Sequence, residues 1–210
     1  MIKVRSSYLV RMKDIEEAQA LLREARDTVW PVLGWQGYLQ QMLHGHSQQS
    51  LLVWSSEWEN LAAWEAGLER RKGCREYVEW AKKWNRLQVY GEETEIFLLI
   101  EPRVCLDNTP GKIEVRSSYM VPMHHVERAL ELVEQDQRMN WQLKEAVQDE
   151  VMLLGKAAYS QFVFASMSDS LTAYDQGISS LVVREDFPAW WKAWTEMVDF
   201  GGSREILRNF

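Results

Sequence analysis

Alternating apolar and polar positions open the chain. Ile2, Val4, Ser6, Tyr8 and Val10 fall on one face and Lys3, Arg5, Ser7 and Leu9 on the other, which predicts a β-strand. From Lys13 or Asp14 the period lengthens to the helical one. Ile15, Ala18, Leu22, Ala25 and Val29 make a single stripe, and Pro31 and Gly34 end it. Residues 38–43 and 50–54 then read as two short strands joined by the turn-like Gly45-His46-Ser47-Gln48. Asn60 caps a second helix whose stripe, Leu61, Trp64 and Leu68, is interrupted at Gly73 and continued by Tyr77, Trp80, Trp84 and Leu87. Gly91 is expected to stop that helix, and 94–100 to form a last apolar strand. The predicted order, β-α-β-β-α-β, is that of a ferredoxin-like unit.

The pattern then starts again. Val4-Arg5-Ser6-Ser7-Tyr8 returns unchanged as Val115-Arg116-Ser117-Ser118-Tyr119. At an offset of 111, Glu16 meets Glu127, Leu21 meets Leu132 and Trp30 meets Trp141. After the loss of one residue, Val53 meets Val163, Gly67 meets Gly177, Trp80 meets Trp190, Trp84 meets Trp194 and Glu95-Ile96 meets Glu205-Ile206. Ordered matches with one shift mark an internal duplication. It predicts an α+β fold of two tandem ferredoxin-like lobes, 1–101 and 113–210, joined by a Pro- and Gly-bearing linker at 102–112. In the second lobe the expected elements are a strand at 113–121, a helix at about 125–140, a hairpin at about 150–166, helices at 170–178 and 187–198, and a strand at 203–209. A loop is expected at 177–184.

Composition narrows the function classes. A 46% hydrophobic content suits a globular chain, and no run approaches the ~18 apolar residues of a membrane span. The start of the chain enters a strand pattern at once without a signal-peptide core, so a soluble, cytoplasmic protein is expected. Net charge of -7 argues against nucleic acid as a partner, because phosphate backbones are bound through clustered Lys and Arg. The two cysteines, Cys74 and Cys105, fall in unmatched positions and read as free thiols. Eleven tryptophans are the unusual feature. Seven lie in the first copy, at 30, 35, 54, 58, 64, 80 and 84, which makes that copy the expected place for an aromatic cavity.

Each copy resembles the dimeric α+β barrel superfamily, in particular antibiotic-biosynthesis-monooxygenase-like and NIPSNAP-like domains. The residues that carry this are the strand at 4–10 leading into the helix at 14–29, and the block Leu52-Val53-Trp54-Ser55-Ser56-Glu57-Trp58-Glu59-Asn60-Leu61-Ala62-Ala63-Trp64. The resemblance implies two ferredoxin-like units with their sheets facing around a ligand cavity, here tethered on one chain as an intramolecular dimeric α+β barrel. The tether would raise the effective concentration of one lobe for the other and free the two cavities to diverge. Divergence is visible: Trp58 becomes Ser168, Trp64 becomes Tyr174, and His44-Gly45-His46 becomes Leu154-Gly155-Lys156.

Candidate ligand-binding residues are therefore Arg5, Ser6, Ser7, Tyr8 and Trp64, with Arg116, Ser117, Ser118 and Tyr119 in the second copy. A guanidinium, two hydroxyls and a phenol on one strand could orient a polar ligand, although a packing constraint would preserve them equally well. Both faces of the strand stay open, since alternation does not say which lines a cavity. Superfamily members that degrade haem use a Trp near the place of Trp64, an Asn on the first strand and a His on the second helix. Here Ser6 stands near the Asn position and no histidine occurs between 47 and 123, so no cofactor is expected and haem is retained only as an alternative. Trp64, Trp80 and Trp84 also read simply as the core stripe of an amphipathic helix. His44 and His46 have a spacing that could serve a metal, but no third ligand is near, and His124-His125 opens a helix; all four read as ordinary turn residues, and no metal site is expected. No nucleophile-elbow, phosphate-loop, dinucleotide or zinc motif is present.

The resemblance implies a cofactor-independent monooxygenase that oxidises a small aromatic molecule. Such chemistry needs only a shaped apolar cavity and one or two polar groups for a substrate anion. Alternatives are a non-catalytic module binding a hydrophobic ligand, haem included, and an interaction protein whose interior is filled by side chains, with higher homo-oligomers open in either case.

Overall fold

The computed structural model describes residues 1–43, 48–101, 104–138, 147–153 and 158–210. The protein is α+β and divides into two compact units, Met1–Ile96 with Leu207–Phe210, and Phe97–Ile206. The turn histidines His44 and His46, their counterparts Leu154 to Lys156, and Trp141 lie outside the described residues. Among the described residues no helix is long and apolar enough to cross a membrane.

In the first unit the strands are β1 (Ile2–Arg11), β2 (Tyr38–Met42), β3 (Gln49–Trp58) and β4 (Gln88–Leu99). They are hydrogen-bonded in the order β4-β1-β3-β2, and the tail residues Leu207 to Asn209 add beyond β2. β1 pairs with β3 along its whole length, Ile2 opposite Trp58 through to Arg11 opposite Gln49. Helix α1 (Ile15–Glu24) follows β1, a π turn (Ala25–Val29) leads into α2 (Trp30–Leu33), and α3 (Leu61–Arg70) and α4 (Arg75–Trp84) follow β3. The buried stripe Ala18, Leu21, Leu22, Ala25, Val29 and Trp30 packs with Trp80, Trp84 and Leu87 on Tyr8, Val10 and Leu52 of the sheet, which forms the core.

The second unit repeats the order with β5 (Ile113–Pro122), α5 (Val126–Arg138), β6 (Val147–Met152), β7 (Tyr159–Ser168), α6 (Leu171–Val182), α7 (Phe187–Thr195) and β8 (Phe200–Asn209). Its strands run β8-β5-β7-β6, and Phe97 to Leu99 of β4 pair with β6. Its core sets Tyr119, Val121 and Phe162 against Ala129, Leu132, Val133, Trp190 and Trp194.

Three element boundaries differ from the sequence reading. Pro31 does not end the first helix; it starts the last turn, where its missing N–H is tolerated, and Gly34 at φ 66° terminates it. Gly91 lies inside β4 rather than at a helix end, because α4 stops at Trp84 and the strand begins at Gln88. The expected loop at 177–184 is helical as far as Val182, since one isolated Gly costs a helix only ~1 kcal/mol. From Val104 on, the expected linker is tied to the second unit: Val104 and Leu106 pack on Ala165 and Met167, and the Val104 N–H donates to Gln148 Oε1 at 2.7 Å.

Candidate functional site

The β1–β3 register decides which face of the repeated strand matters. Ser6 lies opposite Trp54 and Tyr8 opposite Leu52, whereas Arg5 and Ser7 lie opposite Ser55 and Val53. Partners across an antiparallel ladder share a face. Ser6 and Tyr8 therefore face the helices with Trp54, and Arg5 and Ser7 face away.

On the helix-covered face of the first sheet is a cleft of about 40 Å³. Ser6, Tyr8 and Trp54 contribute from the sheet, Trp30 and Leu22 from the first helix, and Trp64, Leu68, Tyr77 and Trp80 from α3 and α4, with Trp35, Arg71 and Glu92 completing the lining. The cleft thus sits between a sheet and its helices within one unit, rather than between facing sheets as the resemblance implies. Trp64, Ser6 and Tyr8 meet in it. Of the other candidates, Ser7 is half-buried on the far face and Arg5 is committed elsewhere, its Nη1 donating to Glu95 Oε2 at 2.7 Å.

Most of the aromatic wall is interlocked. Trp54 is sandwiched between Trp30 at 4.6 Å and Trp35 at 5.1 Å, both near-parallel. Trp80 stacks on Trp84 at 5.7 Å, and Trp84 meets Tyr8 edge-on. Trp35 Nε1 donates to the Gly67 carbonyl and Trp80 Nε1 to the Leu21 carbonyl, so both rings are pinned by backbone. Trp64 stands apart: it is half-buried on the first turn of α3, and its indole has neither a ring partner nor a hydrogen bond among the described residues.

The polar side of the cleft is a hydroxyl-carboxylate cluster. Ser6 Oγ donates to Glu92 Oε1 at 2.6 Å, a charge-assisted contact, and Thr94 Oγ1 donates to the same oxygen at 3.3 Å. Burial, reinforced by the charge of Glu92, pushes the Tyr8 phenol well above its ordinary pKa. Tyr8 consequently keeps its proton through neutral pH and acts as a donor, not a base. Glu92 was absent from the sequence-derived candidates. The signal that could have found it is its position beside Gly91, within the strand that flanks β1 in a ferredoxin-like order.

The second unit places its copies differently. Tyr119 is wedged among Phe164, Trp191 and Trp194, with Gly201 so close that a Cβ there would lie 2.6 Å from the ring. The position matching Glu92 is Gly202, at φ +81°, and the one matching Arg71 is Leu181. Ser117 is buried and Ser118 half-buried. Arg116 faces away like Arg5 and enters a buried ion cluster, donating to Glu114 Oε1 at 2.9 Å and Glu150 Oε2 at 2.7 Å, with Glu205 at 3.8 Å. Burial opposes its charge, but the Glu150 and Glu114 carboxylates outweigh this and hold its pKa above the ordinary value.

The cleft does not fit a haem. Among the described residues, no His, Cys or Met lines it to serve as an axial ligand. Its 40 Å³ would hold about three waters, against the roughly 300 Å³ or more of an ordinary small-molecule site. Among the described residues no group of three or more His, Cys, Asp or Glu side chains is placed to hold a metal ion.

No family model and no curated protein matches the sequence. Solved structures do match over nearly the full length of both chains. A presumed monooxygenase of Lactobacillus acidophilus NCFM aligns with a TM-score of 0.66 at 9% identity, over 99% of this chain and 93% of its own. An anthrone oxidase-like protein aligns at 0.59 and 12% identity, over 100% and 91%. A variant of the chlorite dismutase of Candidatus Nitrospira defluvii aligns at 0.58 and 9% identity, over 100% and 91%. Identities this low carry fold and nothing finer. The chain is thus similar in fold to these solved structures over nearly its whole length.

Proposed function

We propose that the first unit is a cofactor-independent oxygenase site acting on a small hydroxylated or anthrone-like aromatic molecule. The single observation that carries this reading is the Ser6–Glu92 hydrogen bond beside the protonated Tyr8 phenol, in a tryptophan-walled cleft whose counterpart position in the second copy is a glycine. The chain as a whole is then a fused counterpart of the superfamily's dimer, two lobes at 1–101 and 113–210 with one of them functional.

The chemistry follows from the residue types. An aromatic ring lies against the indoles, Glu92 accepts a proton from the activated position, and the Tyr8 hydroxyl donates to the oxyanion that develops. The resulting anion reacts with dioxygen, the co-reactant; for a ring methylene the net change is CH2 + O2 to C=O + H2O. A free volume of about 40 Å³ requires one wall to yield, and Trp64, unpinned by hydrogen bond or ring contact, is the wall that can. The test is oxygen uptake with anthrone and simple quinols. Wild type consumes oxygen in proportion to substrate, Glu92→Gln lowers the rate by about 100-fold or more, and Tyr8→Phe lowers it less. Equal rates in wild type and Glu92→Gln would remove the proposed base.

The same small volume favours a second reading, in which the indoles themselves are the contents of the cleft and the unit is an interaction module. Substrate binding separates the two.

A further inference from the structure

Among the described residues, Arg71 is the one cation in the lining of the cleft. It caps the C-terminal end of α3, is half-buried, and its guanidinium lies 6.0 Å from the centre of the Tyr77 ring. Neighbouring basic residues are occupied: Arg70 Nε donates to the Leu33 carbonyl, Lys72 pairs with Glu69, and Arg75 with Glu79. Arg71 has no carboxylate or carbonyl partner among the described residues. Glu92, the acid of the same cleft, is held by Ser6 and Thr94 instead. The cleft therefore presents an unneutralised guanidinium and an acceptor carboxylate in one aromatic lining. Both positions are neutral in the second copy, as Leu181 and Gly202.

We infer that the ligand of this cleft is an aromatic carboxylate that also bears a hydroxyl or other acidic hydrogen, its carboxylate bound by Arg71 and its hydrogen directed to Glu92. The inference rests on the proposed site and names its substrate class. Arg71 suits the role because a guanidinium presents a planar fork of donors to a carboxylate, and a place over the Tyr77 ring does not neutralise it. A ligand with an anion at one end and a donor at the other meets both charged groups favourably. A neutral aromatic leaves Arg71 without an anion, and a dianion places a second charge against Glu92. The two groups together specify the charge pattern of the ligand, while the indoles specify its flatness.

The experiment is calorimetric titration of the full chain with 6-hydroxy-2-naphthoate and with its neutral amide, for wild type, Arg71→Leu and Arg71→Lys. Leu is the residue at the matching position of the second copy, so the substitution suits this helix end. Wild type is expected to bind the acid about tenfold or more tightly than the amide. Arg71→Leu should abolish that preference while leaving amide affinity within about twofold, and Arg71→Lys should restore part of it. Equal affinity for acid and amide in wild type, or a preference that survives in Arg71→Leu, overturns the assignment. If the amide binds as well as the acid while oxygen uptake still fails in Glu92→Gln, the carboxylate assignment falls and the oxygenase reading stands. No binding of either compound overturns the assignment as well.

Discussion

Single residues set the cleft, and two glycines show how tightly. A Cβ on Gly37 would lie 2.4 Å from Trp54 Nε1, and one on Gly67 would lie 2.5 Å from Trp58 and 3.2 Å from Trp35 Nε1. Helix propensity favours Ala over Gly within α3 by ~1 kcal/mol. Packing opposes it, since overfilling a close-packed contact costs about 1–3 kcal/mol. The contact wins, so Gly67→Ala should lower the urea midpoint of unfolding at unchanged m-value; a stabilised variant would contradict the packing. At this scale the sequence is legible where the repeat retains chemistry. Arg5 with Glu95 and Arg116 with Glu205 recur as matched pairs, and the structure brings each pair to the face opposite the cleft. Recurrence marks the four positions as retained, and the structure supplies the pairing. Glu92 left no such trace, because its function, if confined to one copy, erases the match that would reveal it.

Elements place those residues, and here the pattern was legible in kind more than in extent. Alternation and helical stripes locate the strands and the longer helices, but not α2 (Trp30–Leu33), which lies where Pro31 is expected to end the first helix. They do not locate the π turn at Ala25–Val29, where the Trp30 N–H reaches back to the Ala25 carbonyl. Pro31, without an N–H, cannot continue an α-helical ladder, and a five-residue turn immediately before it absorbs the misfit. Trp30 is thereby buried against Trp54 as one wall of the cleft. Periodicity read at 3.6 residues per turn has no means of announcing one wider turn. In the second unit α5 brings Asp136 near Asp149 of β6. Burial, then the charge of Asp149, pushes the Asp136 carboxyl up to about 8. The folded state thus binds a proton more tightly than the unfolded chain does. The favourable term is present in full below the ordinary Asp range and is lost as pH rises toward about 8. Asp136→Asn should accordingly unfold at a higher urea concentration than wild type at pH 9 and differ little at pH 4. The same difference at both pH values would show that this carboxyl does not titrate as described.

At the scale of the whole molecule, the two units share a strand order, and the residues of the proposed site stand in the first of them. Both units build the same layers from the same strand order, with Trp80 and Trp190 even donating to matching helix carbonyls at Leu21 and Leu132. They differ where a ligand would touch. Trp54, Trp64, Arg71 and Glu92 of the first copy stand against Phe164, Tyr174, Leu181 and Gly202 of the second. The repeated pattern made the order of strands and helices readable from sequence, and the α+β fold expected from it is the one observed. The face of the strand was not readable, because two alternating faces buried on both sides look alike until a pairing register chooses between them. The central claim is that the indole-lined cleft admits a ligand. Its most direct test is an intrinsic tryptophan-fluorescence titration with anthrone, quinols and hydroxynaphthoates. The account predicts saturable quenching at micromolar ligand that weakens in Trp54→Phe, the residue of the second copy; a flat response across the panel would contradict it and leave the tryptophans as core.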